Sequence, residues 1–262
     1  MIKKVIYYTD ELNDEFSSAK IKPRVIDGRY AYKRGRVWNC ISWTIQNVLS
    51  MPFKIGYAKL KFRIKYVGKE KFKQCKNSGY FIYANHTQVL ADTFIPSLAN
   101  YPKRNFIIVN PENISIKPFG WLVEMLGAIP VPGDRVAMKK FLEILNHRIE
   151  EKCSITIYPE AHIWPYYTGI RPFKSVSFTY PVDMGKPVFC VTNTYHKRGK
   201  KGNKVRIISY VDGPFYADTS LATSKQQKDD LRNKVYECML ERSKNSNVNV
   251  IEYAKKDDNK EV

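Results

Sequence analysis

No stretch of this 262-residue chain runs to eighteen apolar residues in succession, so no segment reads as crossing a bilayer. The five cysteines (Cys40, Cys75, Cys153, Cys190 and Cys238) are odd in number and widely spaced, with no C-x-x-C among them. That pattern argues against a zinc site and a disulfide framework, and for a reducing compartment. Acid is scarce: 25 Asp and Glu stand against 44 Lys and Arg, a net charge of +19. Such an excess calls either for an anionic partner (nucleic acid, an anionic bilayer or an acidic protein) or for nothing more than a well-solvated basic surface. The opening MIKKVIYYTDELNDEF turns acidic and polar too early to read as a signal peptide. No internal repeat or low-complexity block is evident.

What is present suits one domain, or one domain with a helical appendage: 44% of residues are hydrophobic and 13% aromatic. Residues 1–36 read as polar and irregular, with a basic, aromatic patch in RYAYKRGR. From Val37 to Lys61, Trp38, Ile41, Ile45, Val48 and Leu49 recur at helical spacing before Pro52 opens a second short segment. This reads as an amphipathic helical hairpin, whose apolar face either lies on an anionic membrane or packs on the body of the domain. Strand patterns follow at 62–67, 80–84, 104–109, 154–158, 188–192 and 205–211, with a strand finishing at Ile129 and Val131. Helical patterns cover 118–127, 137–150 and 224–244. The expected fold class is α/β, a mixed central β-sheet flanked by helices. Its divisions are an N-terminal segment over 1–61, a domain over 62–244 and a polar, frayed tail over 245–262.

Polar residues collect where strands end. Asn85 and His86 close the aromatic run Tyr80–Ala84, and Asp92 lies six positions past the histidine. A histidine at a strand's carboxyl end with a carboxylate in reach is a general-base arrangement. Asp134 and Arg135 follow the strand near Ile129, and Glu160 follows the strand ending at Tyr158. Ligands of open α/β sheets sit at such ends, so the three groups are expected in one crevice. His147 and His196 have no motif around them and read as surface residues. Trp164, Tyr166 and Tyr167 either line a groove or pack their own loop.

In order and spacing these blocks resemble the phospholipid-synthesis acyltransferases, the lysophosphatidic acid acyltransferase family. The first, NHTQVLAD, matches the family's N-H followed by four residues and Asp, although here five residues separate His86 from Asp92. The second is GAIPVPGDR. The third, YPEAHIWPYYTGIRPFK, stands for Phe-Pro-Glu-Gly-Thr-Arg with a later Phe-Lys, and it puts Ala161, His162 and Ile163 where the family has Gly, Thr and Arg. The fourth is GKPVFCVTNT. The resemblance runs from about Arg63 to Asp212 and makes 62–244 an acyltransferase domain.

The resemblance implies transfer of a fatty acyl group from a thioester, acyl-ACP or acyl-CoA, to a lysophospholipid hydroxyl, 1-acyl-glycerol-3-phosphate foremost. His86 and Asp92 would be catalytic, with oxyanion contacts from backbone N–H groups near the His86 turn. Asn85, Asp134, Arg135, Pro159, Glu160, His162, Arg171 and Lys174 would serve the substrates. Glu160 would position the acceptor or brace basic residues, and His162 would donate to the acceptor or make a loop contact. The family arginine thought to grip the acceptor's phosphate is missing, leaving Arg135, Lys139, Arg171 or Lys174 as replacements. No metal or cofactor is implied. The implied partners are an anionic membrane surface at the cytoplasmic face, an acyl-carrier protein or CoA thioester, and a lysophospholipid. Nucleic acid is not among them, for no such binding motif is seen. Two alternatives stand beside this reading: a non-catalytic lipid-binding scaffold on the same fold, and an acyltransferase with a non-phosphate acceptor.

Overall fold

A computed structural model describes residues 4–17, 21–199 and 204–256. Its centre is a seven-stranded mixed sheet in the order β2-β8-β7-β3-β6-β4-β5. The strands are β2 (Lys65–Val67), β3 (Tyr80–Ala84), β4 (Asn105–Val109), β5 (Ala128–Pro130), β6 (Ser154–Ile157), β7 (Val188–Arg198) and β8 (Lys204–Phe215). All neighbours pair in parallel except β7 with β8. The expected mixed α/β architecture is therefore present.

β3 lies between β6 and β7, and all five of its residues are buried. That is why it reads as a continuous apolar run: helices cover both faces of a central parallel strand. Alternation assigns the faces. Phe81 and Tyr83 join the core under α5 (Arg135–Glu150) and α7 (Ser224–Ser243), whereas Tyr80, Ile82 and Ala84 pack with α3 (Ala91–Ala99). Gly79 leads into β3 against the backbone of Ile149, where a Cβ would collide. α4 (Gly120–Met125) and α6 (Thr179–Asp183) are shorter connectors.

The amino-terminal helical region is not a hairpin. α1 (Arg36–Thr44), a π-helical turn at Ile45–Leu49, α2 (Met51–Tyr57) and a second π-helical turn at Ala58–Phe62 follow one another as a bent rod. Ser50 keeps a right-handed helical backbone, and Pro52 sits in the first turn of α2, where its missing N–H breaks no helical bond. The rod's polar side faces the protein. Buried Ser42 donates to the carbonyl of Met125 and buried Gln46 to that of Asn105, while buried Lys54 donates within the rod to the carbonyl of Gln46 at 3.0 Å. Leu60 (80% exposed), Leu49 (66%) and Phe53 (62%) face outward. Leu49 and Leu60 therefore do not pack on the domain, whereas Phe53 and Tyr57 meet Phe94 of α3 edge-on and Phe62 joins the core beside it.

Both chain ends depart from expectation. β1 (Lys4–Tyr8) and β9 (Ile251–Lys255) form a parallel two-stranded sheet of their own, so residues 251–255 are not a frayed tail. Neither strand has a buried face, and short strands without one leave no alternation to read.

Candidate active site

The carboxyl ends of β3 and β6 and the middle of β7 meet at His86. Its Nδ1 lies 3.0 Å from Oδ2 of Asp92, so the extra residue between them does not keep the pair apart. That residue is taken up in a turn whose N–H groups fold back onto the carboxylate: Thr87 and Gln88 donate to Oδ2 at 2.7 and 2.8 Å. Asn193 of β7 donates to Oδ1 at 3.3 Å. Asp92 is fully buried in the first turn of α3, where a helix N-terminus favours negative charge. Four donors and the helix end replace the water that the carboxylate gives up.

The imidazole is held in plane as well. Tyr158 stacks on it at 4.3 Å between centroids and 23° between planes, and the Tyr158 hydroxyl donates to the carbonyl of Asp92. The His86 side chain retains 17% exposure, and among the described residues no partner reaches Nε2. Asp92 therefore fixes Nδ1 as the N–H, and Nε2 is left as a lone pair without a partner among the described residues.

Glu160 sits behind this pair rather than in front of it. Its Oε2 accepts the His86 N–H at 3.1 Å and its Oε1 accepts the Arg171 N–H at 3.1 Å. Burial pushes the Glu160 carboxyl upward, opposed by the Arg171 guanidinium and these two N–H groups. Glu160 is 3% exposed and so braces the loop; it does not meet an acceptor. The backbone N–H groups of residues 86–88 all point at carboxylates, so they do not form the oxyanion site expected at this turn.

Several other residues expected to bind substrate serve the fold. Asn85, 1% exposed, exchanges two hydrogen bonds with the backbone of Asn193. Asp134 caps α5, accepting from the N–H of Ala137 at 2.7 Å, and its other oxygen accepts from Gly28. β5, which precedes it, is an edge strand separated from β3 by β4 and β6, and among the described residues no hydrogen bond joins Asp134 or Arg135 to the His86–Asp92 pair. Arg171 is 1% exposed, beside Glu160 at 3.5 Å, and donates to the carbonyls of Glu11, Glu160 and His162. A buried guanidinium with those partners cannot grip a phosphate. His162 makes a long-range contact in place of the local loop contact, its Nδ1 lying 2.9 Å from Oε2 of Glu15 in the segment after β1. Pro159 is half-buried in the turn ahead of Glu160, while Arg135 and Lys174 are exposed and make no contact with the pair among the described residues.

Trp164 packs its loop: it lies among Tyr8, Phe16, Tyr167 and Tyr253, and its indole donates to the carbonyl of Asp14. His196 is not a surface residue. It is 8% exposed in β7, its Nε2 2.8 Å from the Thr194 hydroxyl, and burial holds its pKa low. Tyr158 and Asn193 complete the site and escaped the sequence reading. Both lie inside the quoted blocks, but a tyrosine before Pro-Glu or an asparagine in a strand carries no signal of which neighbour it will touch.

The arrangement supplies a base with a free nitrogen and a buried carboxylate behind it, and among the described residues no nucleophile is bonded to that nitrogen. Among curated proteins, none matches the chain. The fold is similar to that of the 1-acyl-sn-glycerophosphate (LPA) acyltransferase PlsC from Thermotoga maritima. The likeness has a TM-score of 0.50 and 16% sequence identity, and covers 81% of this chain and 96% of that one. The acyltransferase family model matches residues 63–194, half of the chain and all of the His86–Asp92 site, and the protein belongs to that family.

Proposed function

We propose that the protein transfers a fatty acyl group from an acyl thioester to the free hydroxyl of a lysophospholipid at a membrane surface, with 1-acyl-glycerol-3-phosphate as the foremost acceptor. The observation that carries this is the His86–Asp92 pair with Nε2 unpartnered, on a chain of the acyltransferase family. Nε2 accepts the proton of the acceptor hydroxyl while its oxygen attacks the thioester carbonyl. Asp92 stabilises the imidazolium that forms. As the C–S bond breaks, the imidazolium returns its proton to the leaving thiolate, giving an ester and a free thiol. The thioester brings the activated acyl group and His86 the base, so the scheme calls on no metal and no cofactor beyond acyl-ACP or acyl-CoA. The acceptor named for the Thermotoga protein supports the choice of a lysophosphatidate.

The helical rod supports the membrane part. Its polar Ser42 and Gln46 are anchored on the domain, while Val48, Leu49 and Leu60 are turned outward. A net charge of +19 favours an anionic leaflet, which for a peripheral protein of this class is the cytoplasmic face, and equally an acidic carrier protein. With Arg171 sequestered, the acceptor's phosphate is left to exposed cations such as Arg135 and Lys174, and an acceptor without phosphate is the second reading that this observation favours.

The test is acyl transfer on anionic liposomes, offering an acyl thioester with a panel of lysophospholipids and neutral monoacyl alcohols. Turnover should fall roughly 10²- to 10⁴-fold in His86→Ala while liposome binding is unchanged. Equal rates in the two proteins would sink the enzyme reading in favour of a lipid-binding scaffold. Preference for a neutral acceptor would move the substrate to the second reading.

A further inference from the structure

A second cluster of reactive side chains lies between the sheet and α7, away from His86. Cys190 in β7 is fully buried, and its thiol donates to Cys238 Sγ in α7 at 3.4 Å. Cys238 is partly exposed. Directly across from Cys190 on β8 is Asp212, whose carboxylate lies within 4.8 Å of both sulfurs. Asp212 already accepts from Lys71 at 2.6 Å and, in a fork, from Arg242 at 2.7 and 2.8 Å. Arg242 stands one helical turn beyond Cys238. Two thiols and a carboxylate could suit a divalent cation, but an incoming cation would face Lys71 and Arg242 at close range. Lys71 favours a thiolate at Cys190 and Arg242 at Cys238, each against burial and the Asp212 carboxylate. The hydrogen bond from Cys190, aided by Arg242, holds Cys238 below the usual thiol range. That same bond, together with burial, holds Cys190 well above it. One sulfur is therefore reachable and inclined to ionise, and the other is a protected thiol in contact with it, the division of labour of an attacking and a resolving cysteine.

We propose that Cys190 and Cys238 are an oxidation site, closed to a disulfide by hydroperoxides as a reversible staple between the sheet and α7. The Cys238 thiolate attacks one peroxide oxygen; the S–O bond forms, the O–O bond breaks, and the departing hydroxide leaves as water after protonation. The Cys190 sulfur then displaces the sulfenic oxygen; the S–S bond forms, the S–O bond breaks, and a second water leaves with the Cys190 proton. The two thiols are oxidised by two electrons in all, and the peroxide is reduced to two waters. Closure requires the sulfurs to approach by roughly 1.4 Å. In a reducing compartment such a bond is transient and reports oxidation.

The full chain, treated with a small excess of hydrogen peroxide, is alkylated, digested without reduction and mapped by mass spectrometry, with thermal unfolding followed in parallel. The expected result is a single cross-linked pair joining Cys190 to Cys238 in the wild type and in a Cys40→Ser control. The unfolding midpoint should rise by roughly 5–10 °C, and a dithiol should reverse both effects. Cys238→Ser, at the more exposed position and thus the safer variant to fold, should show neither link nor rise; Cys190→Ala should agree. Two results overturn the proposal. One is a Cys190 that remains fully alkylatable after unfolding while Cys238 has gone to sulfinic acid. The other is stoichiometric zinc on the untreated protein that is lost in Cys238→Ser.

Discussion

Asp92 receives four hydrogen bonds and has water on none of its sides. An amide in its place must turn an NH2 toward one of those donors. Asp92→Asn should therefore lower turnover roughly 10²- to 10⁴-fold, by releasing the tautomer of His86. It should also lower stability by about 1–3 kcal/mol, from a buried donor left facing donors; acyl-transfer kinetics and urea unfolding check the two separately. Ala161 invites the opposite change. It occupies the family's glycine position with φ at +63°, a left-handed backbone that a Cβ resists. Ala161→Gly should raise stability by up to about 1 kcal/mol in urea unfolding, with His86 chemistry intact. At this scale the sequence announced His86 and Asp92 because histidine and aspartate at a strand end have few other uses together. It could not assign Asn85, Asp134, Glu160 and Arg171, because each side chain can bond a ligand or a backbone with equal ease. Which it does depends on what lies within 3 Å, and that comes from distant parts of the chain such as Gly28, Glu11 and Asn193.

Among the elements, the rod of α1 and α2 has the most unusual chemistry. Lys54 is 5% exposed, and burial brings its pKa down to about 8 from 10.5. The folded chain then holds this proton less firmly than the unfolded one. The penalty is complete below pH 8 and fades as pH rises from 8 toward 10.5, so stability at this site grows with pH across that window. Lys54→Met should stabilise the protein by about 1–3 kcal/mol at pH 7, with the gain over wild type shrinking by pH 10; paired unfolding curves at the two pH values test it. Outward residues of the same rod should act on lipid instead of stability. Leu60→Asp combined with Leu49→Asp should weaken liposome sedimentation severalfold with an unchanged melting temperature. Most elements could be read from the residues, because strands such as β3 and helices such as α5 advertise their buried faces. The rod's continuity could not, since Pro52 at the first turn of a helix and Pro52 in a reversing loop look the same in sequence.

For the molecule as a whole, a charge of +19 predicts that binding to anionic vesicles weakens steeply between low and physiological salt, measurable by sedimentation against sodium chloride. The ends of the chain matter as much as its charge. β1 is hydrogen-bonded to β9, Tyr253 stacks on Trp164 and donates to the Pro165 carbonyl, and Glu15 accepts the N–H of Ile163. Both termini thus clasp the loop that carries Glu160, and Glu160 in turn holds the backbone of His86. Ending the chain at residue 250 should lower both the melting temperature and the acyl-transfer rate, the latter without any change to the catalytic pair itself. The same clasp sets a clock on biosynthesis. Strand β1 is synthesised before the acyltransferase domain and its partner β9 after it, so a growing chain carries its base and carboxylate before the loop behind them can be locked. Chains halted before β9 should carry the domain in place with the reaction slowed, so that the last strand of the clasp sets the moment at which the site becomes fully competent.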